Sequence, residues 1–293
     1  MLVGLPASGK STIAKEISIK ENAVIHASDD LREELFKDVN ENNKNDQLFK
    51  ELHRRIKQDL SKGKNVIYDA TNISMKKRKA FIEELKDIDC KKLCLFVVTP
   101  YEKCLEQNQN RERKVPDLVI EKMYKNIQIP QLYEGWDDIE LIYNTEGYSF
   151  DTHLLFNGEN GLNKIDQDSP YHTHTIGKHC LVCAGICEEL LDDFELNMAA
   201  LYHDIGKRFT KEYNEKKGHS TYYQHHLVSA YDSLFYLRNI EKESLLKIVN
   251  YIQWHMHPFF IKTDKSKNKF IKLVGQDFYD KLLILHEADK MAK

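Results

Sequence analysis

Apolar residues in the first half of the chain form short runs that alternate with longer amphipathic stretches. The short runs predict strands at Leu2–Gly4, Ala23–Ala27, Asn65–Ala70, Leu93–Val98 and Ile139–Tyr143. Helical periodicity follows the glycine-bearing loop at residues 4–9, recurs at Gln47–Lys62, Met75–Asp87 and Tyr101–Asn110, and resumes after Pro116. Strand–helix alternation of this kind predicts an α/β domain with a five-stranded parallel sheet and flanking helices.

Beyond about residue 170 the strand pattern ends and helical periods follow one another. They cover His174–Leu191, Glu195–Ile205, Thr221–Leu237, Lys242–His255 and Asp277–Met291. This pattern predicts an all-α helical bundle at residues 170–293. The polar residues 151–169, which include Asn-Gly-Glu-Asn-Gly, are expected to link it to an α/β domain at residues 1–150. Two domains also fit the length, because 293 residues exceed what one hydrophobic core usually serves.

Composition narrows the class of protein. The chain is 41% hydrophobic and 30% charged, as in ordinary globular proteins. It has no secretory signal at its start and no apolar run near the roughly 20 residues that span a bilayer, so we expect a cytoplasmic protein without a membrane partner. A net charge of −3 argues against strong electrostatic binding to a long nucleic-acid duplex. The six cysteines lie in or beside apolar segments and are expected to be buried, reduced thiols.

A phosphate-binding motif opens the chain. Residues 4–12 read Gly-Leu-Pro-Ala-Ser-Gly-Lys-Ser-Thr, a G-x-x-x-x-G-K-[ST] pattern between a predicted strand and a predicted helix. Backbone N–H groups of such a loop surround the phosphates, its lysine reaches the β- and γ-phosphates, and its serine binds Mg²⁺. The motif predicts binding of ATP or another NTP with Mg²⁺. The contacts expected from this loop are Gly4, Ser8, Gly9, Lys10, Ser11 and Thr12.

Carboxylates and arginines occupy three further positions where a P-loop enzyme places chemistry. Asp29 follows the second predicted strand and so lies on the ligand side of the sheet. There Asp29 either accepts a proton from an attacking hydroxyl or only caps the next helix. In the first case Arg32, one turn later, would bind a substrate phosphate. Asp69 ends the third strand, where a Walker-B-type carboxylate binds the nucleotide's metal. Arg111 and Arg113 either close as a lid over the transferring phosphoryl group or form a solvated charged surface.

Together these motifs resemble those of the polynucleotide 5′-hydroxyl kinase family over residues 1–147. The resemblance implies that Asp29 is the general base toward the 5′-hydroxyl and that Arg32 contacts the 3′-phosphate of the substrate. It also implies that Arg111 and Arg113 are the lid arginines. Kinases of small hydroxylated molecules share much of this pattern, so they stand as an alternative.

Histidines are concentrated in the second half of the chain. Of thirteen, only His26 and His53 precede residue 150. The pair His203-Asp204 ends an apolar helical stretch and is followed by Ile-Gly-Lys. Adjacent side chains on a helix diverge by about 100°, but a metal site can use both if Asp204 bridges toward a second ion. Other histidines and carboxylates recur along the predicted helices, which isolated core or surface histidines do not explain.

The order H…HD…H…H…D resembles that of the HD phosphohydrolase superfamily over residues 170–291. The metal ligands implied by this resemblance are His179, His203, Asp204, His225, His255 and Asp289. The two histidines between the HD pair and the last aspartate imply two divalent transition-metal ions (Mn²⁺, Co²⁺, Ni²⁺, Zn²⁺ or Fe²⁺). Asp204 would be shared between them in a hydrolytic site.

Two choices within this set follow from local pattern. His255 is preferred to His257 because residues two apart on a helix face opposite sides. His225 is preferred to His226 because small residues follow it on one helical face. The remaining upstream and hairpin histidines are expected to contact substrate phosphate or lie at the surface; they are His172, His174 and His219.

The combination of a 5′-hydroxyl kinase and an HD phosphohydrolase resembles bacterial end-healing fusions, in which, however, the HD module comes first. It implies ATP-dependent phosphorylation of 5′-OH ends and metal-dependent hydrolysis of 2′,3′-cyclic or 3′-phosphate ends, on short or single-stranded RNA or DNA. One alternative is a small-molecule or nucleoside kinase fused to an HD nucleotide phosphatase. Another is a nucleotide-responsive regulatory module without turnover, which the intact set of candidate residues disfavours.

Overall fold

A computed structural model describes residues 1–37 and 44–293, and the chain divides into two compact units. Unit 1 comprises Met1–Met123 and Pro130–Gly147, and unit 2 comprises Tyr124–Ile129 and Tyr148–Lys293. In the described part of the chain, no helix is both long and apolar enough to cross a bilayer.

The sheet of unit 1 is parallel throughout, as the sequence predicts. Its strands are β1 (Leu2–Val3), β2 (Val24–Ala27), β3 (Val66–Asp69), β4 (Leu93–Val98) and β5 (Asp138–Tyr143). Strand β4 pairs with β1 and β5, and β2 pairs with β3. The five strands do not form one uninterrupted ladder, because β1 is only two residues long.

Side-chain and turn contacts connect the two ladders. The Gly4 N–H donates to the Thr71 carbonyl (3.0 Å), and the Asn72 side-chain amide donates to the Leu2 carbonyl (2.8 Å). The strands therefore follow the order β2-β3-β1-β4-β5. This order brings the ends of β1, β2 and β3, which carry the candidate kinase residues, to the same edge.

Helices flank the sheet of unit 1. They are α1 (Lys10–Glu21), α2 (Ser28–Phe36), α3 (Asn45–Leu60), α4 (Met75–Glu84), α5 (Tyr101–Gln109) and α6 (Asp117–Tyr124), the last ending at the first residue of unit 2. Helix α3 shows why the pattern predicts them: Leu48, Leu52 and Ile56 recur every four residues and are almost fully buried. Helix α4 buries Arg78, which forms two 2.7 Å contacts with the equally buried Glu134.

Unit 2 is mainly helical. Its helices are α7 (Thr152–Asn157), α8 (Ile176–Leu190), α9 (Phe194–Tyr202), α10 (Lys207–Thr210), α11 (His225–Tyr236), α12 (Lys242–Trp254), α13 (Asp264–Val274) and α14 (Gln276–Met291). Helices α10 and α13 were not predicted, nor was an antiparallel hairpin of β6 (Glu212–Asn214) and β7 (His219–Thr221). Residues 151–169, expected as a linker, belong to unit 2 and include α7 and a 3-10 turn at Leu162–Lys164.

Buried cysteines and a capping threonine help to define helix α8. All six cysteines are free and all but Cys90 are buried. Cys180, Cys183 and Cys187 lie on one face of α8 at a spacing of three and four residues. Thr175 caps the start of α8, where its hydroxyl oxygen accepts a hydrogen bond from the Lys178 N–H. The cap fixes the start of the helix that carries His179.

Candidate active sites

Two polar side chains anchor the backbone of the phosphate-binding loop in unit 1 through hydrogen bonds. The Thr99 hydroxyl (2.9 Å) and the Asn144 amide (3.2 Å) both donate to the Ser8 carbonyl. Gly4 has a positive φ of 154°, and a Cβ there would lie 2.8 Å from the Val97 carbonyl oxygen. Thr99 and Asn144 were missed by the sequence analysis; each directly follows a sheet strand, which is the signal that could have identified them.

Lys10 lies inside this loop. Its Nζ donates to the Leu5 carbonyl at 2.5 Å and lies 3.3 Å from the Ser8 hydroxyl. Burial lowers the pKa of Lys10 to about 8, although the carboxylate of Asp69 opposes that shift. The phosphates of a bound nucleotide would supply negative charge beside this buried ammonium and so favour its protonated form.

The side chains of Ser11 and Asp69 are in direct contact, as expected of two residues that bind the same metal ion. The Ser11 hydroxyl donates to Asp69 Oδ2 at 2.8 Å, across 58 residues of sequence. Burial raises the pKa of Asp69, against the effects of Ser11 and Lys10. Thr12 lies in the first turn of α1 on the exposed side, with its N–H donating to the Gly9 carbonyl at 3.1 Å.

Asp29 does not cap helix α2. The helix begins at Ser28 with Ala27 at the N-cap position, so Asp29 is the second residue of the helix and not its cap. The Asp29 carboxylate instead forms ion pairs with Arg32 (3.3 Å) and, more closely, with Arg113. The structure thus brings together a carboxylate and two of the three predicted arginines. Arg111 is placed within electrostatic range of Lys10, whose pKa it lowers slightly against the effect of Asp29.

Arg32 has a further partner that the sequence analysis missed. Its Nη2 donates to the Asn45 side-chain oxygen at 2.7 Å, and only 6% of Arg32 is exposed. Asn45 is the first residue of α3, so this contact ties the guanidinium to a second helix.

Four histidines and two aspartates of unit 2 converge on one buried centre. Two overlapping groups have ligand atoms close enough to share an ion: His179, His203, Asp204 and Asp289 form the first, and Asp204, His225 and His255 form the second. Each histidine is at most 6% exposed. These are the six residues that the sequence predicts.

Asp204 lies between the two groups. Its Oδ2 is 3.3 Å from Nε2 of both His179 and His203, whereas its Oδ1 is 3.2 Å from Nε2 of His225 and 3.8 Å from that of His255. Asp289 Oδ1 completes the first group, 3.1 Å from His179 Nε2. Ligands around an ion with bonds of about 2.1 Å are separated by about 3 Å, so these spacings fit two ions that share one carboxylate.

The histidines are oriented by backbone carbonyls. Nδ1 of His179, His203, His225 and His255 lies 2.7–2.8 Å from the carbonyls of Ala292, Ala200, Tyr222 and Ile252, respectively. Because a carbonyl only accepts, each Nδ1 carries the proton, and in the neutral ring each Nε2 presents a lone pair to the centre. Lone pairs and carboxylate oxygens that face one another repel unless positive charge lies between them, so this donor set fits divalent cations.

The pKa shifts of the centre also indicate that it attracts positive charge. Burial would raise the pKa of Asp204, but His203 and Lys207 hold it well below its usual range. Burial would lower the pKa of His203, yet the two carboxylates raise it to about 10. The carboxylates therefore attract positive charge strongly into the space between the imidazoles.

The other predicted histidines lie outside the ligand groups. His172 packs edge-on against His179, with ring centroids 5.0 Å apart, and its Nε2 is 3.4 Å from Lys207 Nζ. His219 lies on β7. The His257 ring packs at a tilt against the Phe270 ring, with centroids 4.2 Å apart. His174 and His226 contribute no ligand atom either.

Comparison with known proteins agrees with this division of the chain. Residues 1–130 match the family model of an AAA domain, and residues 176–293 match that of the HD domain. The chain joins a P-loop kinase-like domain of the AAA type to an HD domain. The predicted combination of a P-loop kinase-like domain and an HD domain is thereby confirmed.

Three curated relatives each match about half of the chain. L-seryl-tRNA(Sec) kinase of Methanococcus maripaludis is 28% identical over 177 residues, which are 57% of this chain and 69% of the relative. A bifunctional polynucleotide phosphatase/kinase of Schizosaccharomyces pombe is 23% identical over 148 residues, 48% of this chain and 32% of the relative. Protein kti12 of the same yeast is 26% identical over 147 residues, 46% of this chain and 52% of the relative.

Proposed function

We propose that this P-loop–HD protein is a bifunctional enzyme that heals nucleic-acid ends. It would phosphorylate 5′-OH ends with ATP or another NTP and hydrolyse 2′,3′-cyclic or 3′-phosphate ends at the HD site. The observation that carries the proposal is one chain with two separate sets of phosphate chemistry: Asp29 paired with arginines near a phosphate-binding loop, and Asp204 shared by two histidine pairs. Two of the relatives have names that refer to a polynucleotide and to tRNA.

The kinase step follows from the positions of the side chains. Lys10 would neutralise charge on the transferring phosphoryl group, and Ser11 with Asp69 would hold Mg²⁺. Asp29 would accept the proton of the attacking 5′-hydroxyl as the new O–P bond forms and the bond to the β-phosphate oxygen breaks. Arg32 and Arg113 would release Asp29 to bind phosphate groups of the substrate, and Arg111 would stabilise the transition state beside Lys10.

The HD site fits phosphoester hydrolysis. Divalent ions such as Mn²⁺, Co²⁺, Ni²⁺, Zn²⁺ or Fe²⁺ would supply Lewis acidity and an activated water there. His179, His203 and Asp289 would hold one ion, His225 and His255 the other, and Asp204 both. The backbone carbonyls that fix the four imidazoles keep their Nε2 atoms directed at the ions.

A second candidate is a kinase whose hydroxyl substrate is not a polynucleotide 5′ end, joined to an HD nucleotide phosphatase. The L-seryl-tRNA(Sec) kinase relative favours it, because that match extends over 57% of the chain. A small molecule, a nucleoside or a group carried by RNA would then occupy the space beside Asp29. The P-loop and HD chemistry would be unchanged.

A single set of substrates distinguishes these candidates. RNA and DNA oligonucleotides with a 5′-OH and, for RNA, a 2′,3′-cyclic phosphate would be incubated with ATP and Mg²⁺ or Mn²⁺, and both end products resolved. We expect 5′-phosphorylation and opening or removal of the terminal phosphate. The Lys10→Ala variant should lose the first activity and retain the second, because Lys10 belongs to the phosphate-binding loop and is not one of the six candidate HD ligands. Phosphate transfer only to nucleosides or seryl-tRNA would contradict the proposal and favour the second candidate.

A further inference from the structure

Residues 166–175, here called the strap, cross beside the HD centre just before helix α8. Backbone hydrogen bonds fix the strap: the Ile176 N–H donates to the Ile165 carbonyl (3.0 Å) at its base, and the Ser220 N–H of β7 donates to the Asp168 carbonyl (2.9 Å). The Tyr222 hydroxyl forms a close hydrogen bond to the Gln167 carbonyl. The strap is therefore anchored to both the hairpin and the helix that carries His179.

Gln167 is the buried residue at the centre of this segment. It is 2% exposed, and its side-chain amide nitrogen donates to the His174 carbonyl at 3.1 Å. That bond fixes which end of the amide is oxygen, and the oxygen accepts a hydrogen bond from Lys207 Nζ at 2.8 Å. Both ends of the side chain are thus used, one for the strap and one for Lys207.

Lys207 connects Gln167 to the metal-binding residues. Its Nζ lies 2.5 Å from Asp204 Oδ2, and it is only 4% exposed. The same ammonium lies over the Tyr222 ring, 5.4 Å from its centroid, and 3.4 Å from His172 Nε2. A lysine has four rotatable side-chain bonds and no preferred direction of its own, so its position beside Asp204 depends on these neighbours.

We propose that Gln167 is a positioning residue of the HD site, which holds the Lys207 ammonium beside the metal centre for contact with a phosphate oxygen of the substrate. The inference rests on the proposed phosphohydrolase function. Asp204 alone would not fix Lys207 for this purpose, because its two oxygens also belong to the two candidate metal-ligand groups. Gln167 is neutral, so it directs the ammonium without cancelling the charge that attracts phosphate.

The test compares Gln167→Met, which keeps the length of the side chain but removes both hydrogen bonds, with the wild-type chain. We expect the Mn²⁺-loaded variant to bind inorganic phosphate about ten-fold more weakly by calorimetry, the effect of one hydrogen bond to a charged group. Metal content should be unchanged, because Gln167 contacts none of the six candidate ligands. Asp166→Asn changes an exposed side chain in the same strap and should bind phosphate normally.

A double-mutant cycle shows whether Gln167 acts through Lys207. In a Lys207→Met background, Gln167→Met should have no further effect on phosphate affinity. Unchanged phosphate affinity of Gln167→Met, an equal loss in both backgrounds, or a loss of metal that parallels the loss of phosphate binding would each overturn the proposal. If the wild-type protein binds phosphate but hydrolyses no phosphoester, the proposed hydrolase function fails while the role of Gln167 in positioning Lys207 is still measured.

Discussion

The shared position of Asp204 predicts how many ions each ligand variant retains. His225→Ala should remove one of two bound ions, because it leaves the second group with Asp204 and His255 and does not alter the first. Asp204→Ala should remove both, since each oxygen serves one group. His226→Ala is the matched control: it is next in sequence to His225 but belongs to neither group.

The size of the effect follows from linkage. An ion present at 100 times its dissociation constant stabilises a folded protein by about 2.7 kcal/mol. For a unit of about 150 residues, this corresponds to a rise in melting temperature of roughly 5–11 °C for each ion. Saturating Mn²⁺ should therefore stabilise the wild-type protein and His226→Ala most, His225→Ala about half as much, and Asp204→Ala hardly at all.

Metal analysis after dialysis and calorimetric melting with and without Mn²⁺ measure both quantities on the full chain. ATP-dependent kinase activity serves as a folding control for unit 1, and circular dichroism for unit 2. The dinuclear interpretation is wrong if the wild-type protein binds one ion and His225→Ala leaves both that ion and its stabilising effect unchanged.

Three further predictions concern unit 1. Asp29→Asn should lower kinase kcat roughly 10²- to 10⁴-fold in steady-state assays if Asp29 is the base; near-normal turnover would require another base. Because the pKa of Lys10 is about 8, binding of ATP at pH 8 should raise that pKa and take up part of a proton, whereas binding at pH 6 should take up almost none at this site. Calorimetry in buffers of different ionisation enthalpy measures the uptake, and equal uptake by Lys10→Met would contradict it. Arg78→Met should destabilise unit 1 by about 3–5 kcal/mol in urea unfolding, because it leaves Glu134 charged and buried. The exposed Lys76→Met is the control and should cost less than about 1 kcal/mol. An equally small loss for Arg78→Met would show that the buried pair is not needed for stability.

The strands and the P-loop were predictable because their patterns are local. Alternation, the glycine spacing and carboxylates at strand ends need only a few adjacent residues to be recognised. The connection between the two ladders was not predictable, because it depends on the Asn72 amide reaching the Leu2 carbonyl across 70 residues. Likewise, the basic run at 76–79 gives no sign that Arg78 turns inward to Glu134.

Helix α13 and the β6–β7 hairpin show a different limit of sequence patterns. The apolar residues of α13 are confined to its second half, at Phe270, Ile271, Leu273 and Val274, so no apolar repeat extends along the whole helix to identify it. The strands of the hairpin are three residues each, too short for alternation to stand out. Gln167 was overlooked for a related reason: a single glutamine in a polar stretch has no local signal, and its role depends on Lys207, forty residues away.

The His203-Asp204 pair shows how the structure resolves a difficulty that the sequence raises. Neighbours within a helix would point about 100° apart, but α9 ends at Tyr202, so both residues lie beyond the regular helix. Gly206 then allows close packing against α11, since a Cβ there would lie 2.6 Å from the His225 carbonyl oxygen and the Ser229 nitrogen. His225 is the first residue of α11, and His255 directly follows the last residue of α12. Three of the four histidines thus lie at helix ends, where the rings of His203, His225 and His255 fold back onto the carbonyl three residues earlier and still direct Nε2 at Asp204. A side chain larger than glycine at position 206 should separate the two histidine pairs, and with them the two ion positions.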